Sequence, residues 1–143
     1  MRRDLQQAPS LGEIEAMARR AHATIPEPLR SRIAEVPIRV QDFPDAETLR
    51  ELALESAFDL LGLYHGVGLE RREASDFAQD VDMIFIYRRP ILDYWCDSGE
   101  VLEDIVRHVL IHEVGHHFGL SDADMEALEA AAEAPAPVGA ANN

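Results

Sequence analysis

The chain has 143 residues, of which 47% are hydrophobic, and its formal net charge is −14 at pH 7. This length suits a single domain with a small core of its own. Because so negative a surface repels nucleic-acid phosphates and anionic lipid headgroups, we expect neither a nucleic-acid partner nor a membrane partner.

The cellular compartment is predicted from the cysteine count and the start of the chain. Cys96 is the only cysteine, so no disulfide can form within the chain, as is usual in a reducing compartment. No apolar run follows the charged residues at positions 2–4, which argues against a secretory signal. No stretch approaches the roughly 20 apolar residues that a membrane span needs. We therefore expect a cytoplasmic protein.

Hydrophobic periodicity, capping residues and turn residues predict the secondary structure in chain order. Residues 1–9 are predicted to be a loose arm, residues 69–80 a polar loop and residues 134–143 a disordered tail. Predicted helices cover residues 10–24, 29–34, 45–55, 98–118 and 122–132, the second being a helical turn at least. Predicted strands cover residues 36–40, 62–64 and 83–87.

Individual residues mark several of these boundaries. Ser10 and Glu13 have the spacing of a capping box at the start of the first helix. Pro37 indicates that the first strand lies at a sheet edge. Pro90 is predicted to stop the last strand, so that residues 91–96 form a connection that can include a helical turn. A second capping box at residues 97–100 is predicted to open the long helix.

The order of these elements favours the α+β class. Helices and strands do not alternate in regular βαβ units, so we expect a three- or four-stranded mixed or antiparallel sheet packed against helices. With no internal repeat, residues 1–133 are predicted to be one domain.

The long helix carries the most informative pattern of the chain. His112 and His116 are four residues apart, which places both imidazoles on one helix face, where they can hold one zinc ion at about 2.0–2.1 Å. Glu113 is rotated by about 100° from His112, so it is poorly placed as a ligand. It can instead take a proton from a water bound to the metal.

The residues upstream of this pattern are apolar, which predicts that the helix is buried. A buried Glu113 without partners would be costly, and a metal ion with its water would supply them. Two other interpretations stay open: a hydrogen-bonded structural cluster without metal, and a metal site with another role.

A third ligand requires the helix to end. Gly119 is suited to that end because glycine tolerates the left-handed conformation. Ser121 is then the predicted N-cap of the next helix, and Asp122 is the best-placed oxygen donor, although it can also be a second capping carboxylate. His117 is the alternative ligand, but it points about 100° away from His116.

The motif His112-Glu113-x-x-His116-x-x-Gly119-x-x-Asp122 resembles that of the minimal zincin-like metallopeptidases, a family of small bacterial proteins. Further similar segments are residues 60–66, 84–91 and 107–109. The resemblance covers roughly residues 30–130. It implies a compact α+β fold, zinc bound by the two histidines and the aspartate, the glutamate as catalytic base, and a peptide or protein substrate.

Three further residues are candidates for supporting roles. His108 is four residues before His112, on the same helix face. It can be another ligand, or it can contact a ligand without binding the metal itself. His65 ends a predicted strand and can contact substrate, although a turn histidine is the simpler interpretation. Arg88 can stabilise an oxyanion, or it can be a surface cation paired with acidic groups.

We therefore predict a zinc metallopeptidase with Glu113 as general base. The alternative is a non-catalytic, zinc-stabilised binding module with a latent site, which the small size of the chain favours. A metal-dependent ribonuclease is disfavoured by Asp122, because such enzymes usually carry a third histidine, and by the net charge of −14.

Overall fold

Residues 7–66 and 82–133 are described by a computed structural model of the chain. Most of the predicted arm, the predicted loop at residues 69–80 and the predicted tail at residues 134–143 lie outside these described residues.

The described residues form six α-helices and one three-stranded sheet, which confirms the predicted α+β class. The helices are α1 (Leu11–Ala23), α2 (Leu29–Ile33), α3 (Ala46–Glu51), α4 (Arg88–Ser98), α5 (Leu102–Phe118) and α6 (Asp122–Glu133). The strands are β1 (Ile38–Gln41), β2 (Gly62–His65) and β3 (Met83–Tyr87), and a single 3-10 turn covers Ala57–Asp59.

The sheet is mixed, with β3 between the two other strands. Strand β1 runs parallel to β3, and β2 runs antiparallel to it, with Ile38 and Tyr64 both opposite Ile84. Pro37 precedes β1, and this strand does lie at an edge, as the proline indicated. Strand β2 forms the other edge, which is the one that meets α5.

The capping box predicted for α1 is confirmed. The Ser10 hydroxyl accepts the backbone N–H of Glu13 at 3.1 Å, and the Glu13 carboxylate accepts that of Ser10 at 2.8 Å. Two backbone N–H groups that lack partners within the helix are thereby satisfied.

The predicted connection at residues 91–96 is wrong, because β3 continues directly into helix α4. Pro90 is the third residue of this helix. The first four N–H groups of a helix have no partner inside it, so a proline there costs no helical hydrogen bond. We had treated Pro90 as a stop signal, whereas its fixed φ is compatible with the first turn of a helix.

The long helix begins at Leu102 and not at residue 98 as predicted. Gly99 has a φ of 72°, in the left-handed region, and ends α4. The predicted capping box is absent: the Ser98 hydroxyl accepts the N–H of Glu100, whose carboxylate accepts the hydroxyl of Tyr94. Helix α3 is also shorter than predicted, because it ends at residue 51 rather than residue 55.

Helix α5 lies at the centre of the domain and contacts α1, α4, α6, β2 and β3. Seven residues of α1, β3 and α5 that have no exposed surface belong to one hydrophobic core. They are Ile14, Ala18, Ile84, Ile86, Val106, Leu110 and Val114. Among residues 7–66 and 82–133, none of the helices is both long and apolar enough to cross a membrane.

Shortening a core side chain of α5 should destabilise the whole domain. We expect Leu110→Ala to lower the free energy of unfolding by about 2–5 kcal/mol, because it removes buried methyl groups and leaves a cavity. Urea unfolding followed by circular dichroism measures the loss. Leu52→Ala, at a side chain that is 45% exposed, is the control and should cost much less. Equal losses in the two variants would contradict the central position of α5.

Candidate metal centre

The end of α5 has two faces, and each face carries a pair of side chains that are four residues apart in the sequence. His112 and His116 form the first pair, with ring centroids 5.0 Å apart, and the His116 side chain is half exposed. Glu113 and His117 form the second pair and are only 7% and 4% exposed. Neighbouring residues on a helix are about 100° apart, so the exposed and buried pairs lie side by side.

The carboxylate of Glu113 is buried, but it has partners. Its Oε1 atom lies 3.2 Å from Nδ1 of His116, and the backbone N–H of Tyr64 donates a hydrogen bond to it. Burial raises the pKa of Glu113 above its ordinary value, and His116, the Tyr64 N–H and His112 oppose that rise. Because Nδ1 of His116 faces the carboxylate, Nε2 is the ring nitrogen left for a metal ion.

Strand β2 lies directly on this part of α5. A Cβ atom on Gly62 would overlap Cγ1 of Val109 and come within 3.4 Å of Cγ of Glu113. Only glycine therefore allows the strand to approach the helix so closely.

The direction of the Tyr64 N–H follows from the strand pairing. The carbonyl of Leu61 accepts the N–H of Tyr87, so residues 61 and 63 direct their backbone groups toward β3. The N–H of Tyr64 points the opposite way, out of the sheet edge and toward α5, where it reaches Glu113.

Helix α5 ends as predicted. Gly119 has a φ of 68°, in the left-handed region, and its N–H donates to the carbonyl of Gly115. The Ser121 hydroxyl then accepts the N–H of Asp124 at 3.1 Å, which confirms the predicted N-cap of α6. Asp122 follows in the first turn of α6 and is exposed.

The two histidines and Glu113 come together, but the complete ligand set does not. Within residues 7–66 and 82–133, no group of three or more His, Cys, Asp or Glu side chains is arranged to hold a metal ion. The role of Asp122 as the third ligand therefore stays a prediction.

Helix α6 packs on the histidine-bearing end of α5 through Met125. A Cβ atom on Gly115 would overlap Sδ of Met125, whose side chain is buried. The side chain of α6 therefore occupies the space that a larger residue at position 115 would need. The packing sets the position of the first turn of α6, which carries Asp122.

His108 provides a second connection between α5 and α6. Its Nδ1 atom lies 2.7 Å from Oε1 of Glu129, and its ring centroid is 5.8 Å from that of His112. The side chain is thus one turn before the exposed histidine pair and joins the two helices that carry the predicted ligands.

His65 and Arg88 lie in other surroundings. Gly62 and Tyr64 face α5, so His65, at an alternating position, faces the other side of the sheet, where its ring contacts that of Phe85. The guanidinium of Arg88 donates to the carbonyl of Pro9 at 2.6 Å and to the carboxylate of Asp42 at 2.9 Å. Neither residue contacts the histidine pair in these interactions. The substrate contact of His65 and the oxyanion stabilisation by Arg88 stay predictions.

Sequence reasoning missed a buried group beside Glu113. The Tyr64 hydroxyl donates to Oδ1 of Asp82 at 2.8 Å, and Oδ2 of Asp82 lies 3.4 Å from Nδ1 of His117. Two signals were available: Asp82 is a charge placed directly before the most apolar strand, and His117 stands four residues after Glu113.

Two comparisons with known proteins bear on this site. The sequence model of a family described as zincin-like metallopeptidase matches residues 33–132, which span β1 to α6 apart from its last residue. No curated protein matches the chain.

The close approach of β2 to α5 can be tested at Gly62. We expect Gly62→Ala to lower the free energy of unfolding by about 1–3 kcal/mol, because its methyl group would overlap Val109. Chemical unfolding measures the change. Gly12→Ala in α1 is the matched control: its Cβ meets only the Ser10 hydroxyl at 3.8 Å, so it should be neutral or stabilising. A neutral Gly62→Ala would contradict the contact.

Proposed function

The chain belongs to the zincin-like metallopeptidase family, and from this premise we propose that it is a zinc-dependent peptidase with Glu113 as its general base. One observation carries the proposal: a buried carboxylate lies next to two imidazoles on one helix, one partly and one largely accessible to solvent. Such a pairing serves no purpose in core packing, because a buried charge is costly to the fold.

The proposed ligands are His112, His116 and Asp122. Two imidazole nitrogens and one carboxylate oxygen fit the three-ligand set of a catalytic zinc site, which keeps a fourth position open. When bound there, zinc supplies Lewis acidity that acidifies a water molecule and polarises a peptide carbonyl.

The residues of the chain supply the proton transfers. Glu113 accepts the proton of the attacking water and then delivers it to the nitrogen of the leaving amine. The hydrogen bond from the Tyr64 N–H fixes one side of the carboxylate, so that its orientation does not depend on solvent. The contact with Nδ1 of His116 sets the orientation of that imidazole as well.

We propose a peptide or protein as the partner and the cytoplasm as the compartment. The net charge of −14 favours substrates with basic segments through electrostatic attraction, and it disfavours nucleic acids. The single cysteine is typical of proteins in reducing compartments.

The second candidate function is a zinc-stabilised binding module with a latent site. It is favoured by the small size of the chain, whose 143 residues leave little material for the walls of a substrate cleft. A diverse peptide library incubated with the zinc-loaded protein separates the two functions: binding without cleavage favours the module.

Removing the carboxylate charge of Glu113 should separate metal binding from turnover. We expect Glu113→Gln to keep its zinc and to lower kcat by about 10²–10⁴-fold, which is the usual contribution of a general base. Zinc content by mass spectrometry and peptide cleavage by fluorescence measure the two effects.

The matched control is Glu126→Gln, at an exposed residue of α6, which makes the same chemical change and should leave kcat unaltered. Unreduced turnover by Glu113→Gln would exclude Glu113 as the base.

The proposed ligands can be tested by zinc affinity alone. We expect His112→Ala, His116→Ala and Asp122→Ala each to weaken zinc binding by at least about 100-fold, because loss of a supporting partner alone costs about 10–100-fold. Competition with a chromogenic chelator measures the affinity. His65→Ala, on the other face of the sheet, is the control. Wild-type affinity in Asp122→Ala would remove that residue from the ligand set.

A further inference from the structure

A network of three side chains, two of them buried and one partly buried, connects three separate elements beside the candidate site. Tyr64 belongs to β2, Asp82 directly precedes β3, and His117 lies in the last turn of α5. The Tyr64 hydroxyl donates to Asp82 at 2.8 Å, and the other carboxylate oxygen of Asp82 lies 3.4 Å from Nδ1 of His117. The rings of Tyr64 and His117 are in edge-to-face contact at 5.3 Å.

The buried members of this network need hydrogen-bond partners within the protein. Asp82 is 5% exposed and His117 is 4% exposed, so each polar group depends on its protein neighbours rather than on water. The peptidase mechanism proposed above gives no chemical role to any of these three side chains.

The network reaches the general base through a single residue. Glu113 and His117 lie on the same face of α5, and Tyr64 contacts both: its N–H donates to the Glu113 carboxylate and its ring packs on His117. The hydroxyl at the far end of the same side chain is held by Asp82. Tyr64 is therefore fixed at its backbone by Glu113 and at its side-chain end by the network.

Strand β2 needs such an anchor because it is short and lies at a sheet edge. It has four residues, and within the part of the chain that the structure describes it pairs only with β3, so no other described strand holds its outward edge. A small rotation of the strand would bend the hydrogen bond from the Tyr64 N–H to Glu113. A hydrogen bond weakens steeply as its N–H···O angle decreases.

We propose that Tyr64, Asp82 and His117 are positioning residues that hold β2 on α5, so that the Tyr64 N–H orients the catalytic carboxylate of Glu113. This inference rests on the proposed function, in which Glu113 is the general base. None of the three touches substrate or metal in this proposal, and their effect is transmitted through one backbone hydrogen bond.

The decisive variant is Tyr64→Phe, which keeps the ring on His117 and removes only the hydroxyl. We expect kcat to fall by about 10–100-fold with KM nearly unchanged, since displacement of a catalytic group by about 1 Å costs up to 10²-fold. We also expect the backbone amide of residue 64 to exchange its hydrogen faster, as measured by NMR. Zinc affinity should stay at the wild-type value, because His112 and His116 lie on the other face of α5.

Asp82→Asn is the second variant, which keeps the shape of the side chain and removes its charge. It should change kcat and the exchange of the residue 64 amide in the same direction. It also keeps the inference testable if Tyr64→Phe does not fold.

Tyr94→Phe is the matched control. The Tyr94 hydroxyl also donates to a carboxylate, that of Glu100 at 2.7 Å, but on an exposed part of α4. It should leave kcat and the residue 64 amide unchanged.

The outcomes separate positioning from simple stabilisation. If Tyr64→Phe lowers the melting temperature while kcat and the exchange of the residue 64 amide stay at wild-type values, the network only stabilises the fold and the inference is overturned.

Failure of the proposed function is a distinct result. If the zinc-loaded wild type cleaves no peptide, the peptidase proposal fails. Amide exchange still tests whether the network holds β2 on α5. Faster exchange in Tyr64→Phe and Asp82→Asn, with Tyr94→Phe unchanged, then supports the anchoring of the Tyr64 N–H. Unchanged exchange overturns it.

Discussion

The burial of one carboxylate, that of Glu113, is the constraint on which the rest of this structure depends. A charge in an apolar helix must be given hydrogen-bond partners by its surroundings. Here they come from His116 one turn further along the helix and from the N–H of Tyr64 on a strand remote in sequence. The strand can approach that closely because Gly62 has no side chain to collide with the helix. The close packing of the sheet on α5 is therefore also what orients the carboxylate.

The period of the α-helix places the proposed metal ligands and the proposed base on different faces of α5. Residues four apart share a face, whereas adjacent residues are about 100° apart. His112 and His116 consequently face outward, where a metal ion and a substrate have access, while Glu113 and His117 face the sheet. Glu113, the proposed base, thus has its partners in the protein interior and still lies directly beside the proposed ligand pair.

The proposed third ligand depends on a different set of contacts. Asp122 lies on α6, whose position is set by Met125 against Gly115 and by Glu129 against His108. Two ligands are thus fixed within a single helix, whereas the third depends on the docking of a neighbouring helix. The Asp122 carboxylate is exposed at the start of that helix, so its proposed role as a ligand depends on helix packing rather than on local geometry.

The sequence by itself determined the α+β class, the central helix with its two histidines and Glu113, the end of that helix at Gly119 and the N-cap at Ser121. All of these are local patterns, in which residues within four positions of one another set the conformation. The same local reasoning failed at Pro90, because a proline is compatible with the first turn of a helix as well as with its end.

Only the tertiary structure decided what surrounds Glu113. The contact of its carboxylate with the N–H of Tyr64, and the position of Asp82 beside His117, join segments that are about 35–50 residues apart in the sequence. No local spacing encodes such contacts, because they arise from how a sheet edge packs on a helix. The sequence thus specified the groups to which we assign the chemistry, and the packing of β2 on α5 decided which partners surround Glu113, since orienting a buried charge requires partners from elsewhere in the fold.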